Sequence, residues 1–169
     1  MHYLRKEFNR LVKYAEGLGI KVTCIKATSS DGNAAEWSTD GSQITIYKAD
    51  TKPPLKLVLN MLHELSHHMA WIHNGRKGDL KTDKILNKED AGLELTELQR
   101  KHLYEMEKSD YEYQLLIHHE VGSKIPLWRL KAEIELDEWI YKYYWKNNKW
   151  PLMKDQTVKR KELLNKHKG

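Results

Sequence analysis

Residues 55–75 read LKLVLNMLHELSHHMAWIHNG. Leu55, Leu57, Val58, Leu59, Met61, Leu62, Leu65, Met69, Trp71 and Ile72 leave few faces polar, so the pattern predicts a central, buried helix stopped by Asn74-Gly75. Within it lies His63-Glu64-Leu65-Ser66-His67, an H-E-x-x-H string. Residues four apart project from one face of a helix, so both imidazoles can reach a single zinc ion at about 2.0–2.1 Å each. Glu64 is turned roughly 100° from His63, near enough to the metal face to take a proton from the attacking water without being a ligand. Unpaired histidines and a glutamate in apolar surroundings cost kilocalories, which favours a metal site over ordinary core residues.

Upstream, Leu4, Phe8, Leu11, Val12 and Ala15 stand at helical spacing ahead of Gly17 and Gly19, predicting an amphipathic opening helix. IKVTCIK at 20–26 alternates like a half-buried strand, and SSDGN at 29–33 is rich in turn formers. A hairpin follows, from 35–38 through Asp40-Gly41 to QITIYK at 43–48, whose outer edge is a candidate for pairing with an extended substrate. Downstream, 76–90 reads as a charged surface loop, 91–108 and 111–120 as helices broken at Ser109-Asp110, 127–146 as a long helix opened by Pro126, and 157–167 as a last short helix. The fold class is therefore α+β, a helix-rich, zincin-like domain with a small N-terminal antiparallel or mixed sheet. It spans 1–147 with a helical insertion at about 76–124, and 148–169 forms a basic C-terminal tail or helix.

The chain has 169 residues, 40% of them hydrophobic, with six Trp and nine Tyr, enough to bury a core and too few Pro and Gly for a low-complexity chain. Mean hydropathy is −0.78, no apolar run nears 18 residues, and the N-terminus is charged where a signal peptide is apolar. A cytoplasmic protein without a membrane span is expected, and the lone Cys24 forms no internal disulfide. The net charge of +5 is uneven. Residues 142–169 hold nine Lys and Arg against Asp155 and Glu162, a local +7 that leaves the rest at −2. Such an end suits a polyanion, nucleic acid first, and Trp139, Tyr141, Tyr143, Tyr144, Trp145 and Trp150 interleave with lysines as a stacking surface for single strands would. Solvated helix and packed core are the plainer readings of both features.

Two histidines need a third protein ligand if one position is to stay open for water. Glu133 and Asp137 stand four apart on the 127–146 helix, so Glu133 can bind the metal and Asp137 can anchor the second ring nitrogen of a ligand His. Glu135 and His73 are the other candidates. His73 has the metzincin spacing from His63, but Ala70 stands where that pattern needs a helix-breaking glycine, leaving His73 roughly 80° off the ligand stripe. For steadying the oxyanion, His118, His119 and Tyr141 are candidates. His68 reads as core or a supporting residue.

The opening helix, the hairpin ending in Ile44-Thr45-Ile46, Leu62-His63-Glu64-Leu65-Ser66-His67-His68 and the downstream Glu-x-Glu-x-Asp helix resemble the ImmA/IrrE metallopeptidases, over roughly 1–75 and 127–146. The wider clan is the gluzincins. The resemblance implies zinc held by His63, His67 and Glu133, with Glu64 as base and Asp137 as supporting carboxylate. It also implies a cytosolic phage or bacterial peptidase whose substrate is a protein such as a repressor or antitoxin. Between His67 and Glu133 lie 65 residues, more than that family usually places there, so the 76–124 insertion is read as a cover or a substrate-binding element. The expected function is zinc-dependent hydrolysis of a peptide bond in a cytosolic protein. The competing reading is a non-catalytic, zinc-stabilised binding protein whose basic tail contacts nucleic acid or an acidic partner.

Overall fold

The apolar spacing near the N-terminus becomes helix α1 (His2–Gly17), with Leu11 and Ala15 buried. The structure, a computed structural model, describes residues 2–29, 34–50, 54–76 and 80–169. The turn expected at 29–33 falls outside them after Ser29, as does Pro53.

Three strands follow, β1 (Lys21–Ile25), β2 (Ala35–Trp37) and β3 (Gln43–Tyr47), in the order β1-β3-β2. Strand β1 runs parallel to β3 and β2 antiparallel to it, so the sheet is mixed. Alternation is clean in β3, where Ile44 and Ile46 are fully buried between half-buried Gln43, Thr45 and Tyr47. Both sides of β3 are thus paired, and the substrate-pairing role expected for 43–48 has no free edge there; the edges are β1 and β2.

Helix α2 (Pro54–His73) is the predicted buried helix, with Val58, Met61, Leu62 and Leu65 fully buried and packed toward α1 and the sheet. Each such side chain contributes about 1.5–3 kcal/mol on burial. The described residues continue through α3 (Leu80–Asp90), α4 (Glu97–Glu120), α5 (Leu127–Asn147) and α6 (Met153–Lys168). The chain is therefore α+β and helix-rich. None of its described helices is long and apolar enough to cross a membrane.

Two stretches depart from the sequence reading. The 76–90 segment, expected as a loop, contains α3, because Thr82 and Ile85 fall three apart on one buried face. The break expected at Ser109-Asp110 is absent. Ser109 Oγ back-bonds to the Met106 carbonyl, a contact that a continuous helix accommodates, and Asp110 is turned aside to His67, so α4 runs unbroken.

The chain divides into two compact units, 1–78 with 110–124 and 79–109 with 125–169, α4 contributing to both. In the second unit, Leu163 of α6 is buried against Ala132 and Leu136 of α5, and Ile85, Leu95, Leu103 and Tyr144 form another cluster. The basic C-terminal segment is thus a docked helix, and two of its cations and one imidazole face α5 acids: Arg160 pairs with Glu133, Lys166 and His167 with Glu135. The aromatic run is likewise spent within the unit. Tyr144 stacks on Trp150 at 4.0 Å, Tyr104 on Trp145 at 5.3 Å, and Lys146 Nζ lies 3.7 Å from the Trp145 ring.

Gly41, at the β2–β3 turn, has φ +73°, and a Cβ there would stand 2.6 Å from the Trp71 ring. Gly41→Ala is expected to destabilise the fold by about 1–3 kcal/mol through backbone strain and that clash, measured as a lowered urea midpoint. Gly92→Ala, also at positive φ but with open space around it, isolates the backbone share.

A candidate metal centre on helices α2 and α4

Helix α2 presents His63 and His67 one turn apart, both half-buried, with their Nε2 atoms 3.1 Å from each other. Two nitrogens bound to one ion at 2.0–2.1 Å and a tetrahedral angle stand roughly 3.3 Å apart, so the rings already hold close to a chelating geometry. Each ring is oriented from behind by α4. His67 Nδ1–H donates to Asp110 Oδ2 at 2.7 Å, which leaves the lone pair on Nε2 facing the site. Gln114 Nε2 lies 3.2 Å from His63 Nδ1, the contact in which the amide donates. A half-turn of the amide would bring its oxygen to accept from a protonated Nδ1 and free Nε2 of His63 for an ion.

Glu107 lies on the same continuous helix, one turn before Asp110. His63, His67 and Glu107 each offer one ligand atom, all within 4.8 Å of one another, and the group can hold a metal ion. Glu107, Asp110 and Gln114 follow the 3-then-4 spacing of a single helical stripe, and all three are buried. Polar side chains on a buried stripe are expensive unless they have a shared task, and here one can supply a ligand oxygen while two meet the imidazoles.

Glu64 is buried beside this group. Burial pushes its carboxyl up to about 7, helped by the charge of Glu36 and opposed by His67 and by the backbone N–H of Trp37, which donates to it. A carboxyl poised near neutrality can exchange a proton at physiological pH.

The structure redistributes the remaining expectations. Glu133 accepts from Arg160 Nε at 3.1 Å on α5, and the group that can hold a metal ion contains Glu107 beside the two histidines. Glu135 is engaged by Lys166 and His167, and His73 is exposed with its ring 6.2 Å from Tyr113. The anchor role foreseen for Asp137, which stays on α5, is filled for His67 by Asp110. Tyr141 sets its ring edge-on to Trp150 at 5.4 Å. His118 lies half-buried one turn beyond Gln114, and His119 is exposed. His68 is buried and accepts from the Trp37 indole N–H at 3.4 Å, the supporting place expected of it.

Removing an anchor of this kind weakens metal binding without deleting a ligand. Asp110→Ala is expected to lower metal affinity 10- to 100-fold, read by competition with a chromophoric chelator. An unchanged affinity would mean that His67 needs no orientation from α4. Comparison of the chain with family models, curated proteins and solved structures finds no match.

Proposed function

We propose that this chain is a zinc-dependent metalloendopeptidase that hydrolyses a peptide bond in a cytosolic protein. One observation carries the reading: two imidazoles converge at 3.1 Å, each turned by its own α4 partner, with a third-ligand carboxylate in reach and a near-neutral carboxyl alongside. Two nitrogens and one carboxylate oxygen are a donor set that suits zinc and leaves a fourth position for water. When bound, zinc would polarise the scissile carbonyl and make water acidic enough to react near pH 7.

The chain's own residues supply the rest. His63, His67 and Glu107 hold the ion, while Asp110 and Gln114 keep the rings aimed at it. Glu64 takes the proton from the attacking water and passes it to the leaving amine, a task that a carboxyl near 7 performs in both directions. The zinc-helix part of the resemblance to ImmA/IrrE peptidases, His63-Glu64-x-x-His67, supports this reading, whereas its Glu133 and Asp137 part does not. With Glu107 as ligand, 39 residues separate it from His67, in place of the 65 that Glu133 required. A repressor or antitoxin is the substrate class that likeness suggests.

The test is metal content and what it depends on. Purified protein is expected to hold one zinc per chain by elemental analysis, and the double variant His63→Ala/His67→Ala none. A metal-free wild type after growth and dialysis with zinc would end the proposal.

A further inference from the structure

Strand β2 has three residues and, among the described residues, pairs on one side only, with β3, so little in the sheet holds it in place. Ser38 N–H donates to Gln43 O and Tyr47 N–H to Ala34 O, which turns the backbone of Trp37 outward, away from β3. That outward N–H meets the Glu64 carboxylate. The Trp37 side chain is gripped by the same helix. Its indole N–H donates to His68 Nδ1 at 3.4 Å, and its ring stands edge-on to Trp71 at 6.0 Å and tilted against His67 at 6.4 Å. Trp71 in turn lies against Gly41, at the turn that ends the hairpin. One residue on a weakly held edge therefore touches the base through its backbone and the metal helix through its ring.

We propose that Trp37 is a positioning residue. Held by His68 and Trp71, it staples β2 to α2 so that its backbone N–H fixes the Glu64 carboxylate for proton transfer. The proposal rests on the hydrolase reading for its consequence, though the staple itself does not. A carboxylate at the end of three side-chain torsions, displaced by about 1 Å, loses most of the advantage of a fixed base. Trp37 contributes no ligand, and Trp37→Phe keeps a ring against His67, so that variant should slow turnover and leave metal affinity nearly unchanged.

Hydrogen exchange reads the staple in metal-free, full-length protein. The Trp37 amide is expected to exchange at least about 10-fold faster in Trp37→Phe, which keeps a ring but loses the indole donor, and in His68→Leu. Ser38 and Tyr47 amides, which face β3, should keep their wild-type protection and show that the sheet is intact. His68→Gln, which retains an acceptor, should recover at least half of the protection lost in His68→Leu. Equal exchange at position 37 in every variant overturns the proposal.

The consequence for chemistry is read on zinc-loaded protein with a pool of internally quenched peptides. Trp37→Phe should lower kcat about 10-fold while KM and zinc affinity stay within about twofold. Loosened exchange with unchanged kcat overturns the positioning role. A wild type that binds zinc but cleaves nothing in the pool counts against the hydrolase reading, and the positioning role falls with it. The exchange arm still decides whether the staple exists.

Discussion

Glu64→Gln is expected to keep zinc and lose hydrolysis, while making the metal-free protein more stable at alkaline pH. The two effects share one cause. Loss of a general base costs about 10²- to 10⁴-fold in turnover, and glutamine fills the same space without accepting a proton. The stability gain follows from the burial that raises the carboxyl from 4.5 to about 7. Below pH 4.5 the group is neutral in the folded and unfolded chains, and it costs the fold nothing. Between 4.5 and 7 the unfolded chain ionises while the folded one keeps its proton, so stability declines as pH rises. Above 7 the decline is complete, at about 3 kcal/mol for a difference of this size. Glutamine has no ionised state to bury. With EDTA present, Glu64→Gln should melt on the order of 10 °C above wild type at pH 8 and level with it at pH 4. A bound cation would favour the carboxylate and shrink the gap, so the comparison belongs to the metal-free protein. Retained hydrolysis would remove Glu64 as base, and equal melting at pH 8 would show that its carboxyl is not held near 7.

The parts of this site that were legible in the sequence are those encoded within one element. H-E-x-x-H lies on one helix, and both its periodicity and its apolar setting can be read without tertiary knowledge. The hairpin announced itself through Asp40-Gly41 and the alternation of Ile44 and Ile46. The third member of the candidate group was harder to read, for two physical reasons. Ser109-Asp110 resembles a helix break, because both side chains compete for backbone hydrogen bonds when nothing else engages them. In the fold Met106 and His67 engage them, and the helix continues. Splitting the helix there also hid the stripe Glu107-x-x-Asp110-x-x-x-Gln114, whose spacing was the available signal. Meanwhile Glu133 and Asp137 offered an equally regular carboxylate pair on α5. Local pattern could not rank the two pairs, since only the tertiary arrangement decides which helix lies against His63 and His67. Arg160 and Lys166 show the same limit, reading as charges for an outside polyanion while their partners Glu133 and Glu135 sat within the same unit.

The sharpest discrimination between the two carboxylates is a pair of single variants. Glu107→Ala removes one of three ligand atoms, so its effect should exceed the 10- to 100-fold expected of a residue that only orients a ligand. We expect zinc affinity to fall by more than about 100-fold. Glu133→Ala removes the partner of Arg160, whose side chain is 48% exposed. An ion pair of that exposure is worth about 0–1 kcal/mol, so zinc affinity should stay within about twofold of wild type and the melting temperature should move little. The cobalt-substituted proteins add a second readout. Wild type and Glu133→Ala should share the intense visible bands of a four-coordinate site, whereas Glu107→Ala should lose them as water replaces a protein ligand. The opposite ranking, with zinc lost in Glu133→Ala and retained in Glu107→Ala, would return the third position to α5. It would also require the α4 stripe to have another reason for burying a glutamate, an aspartate and a glutamine along one face.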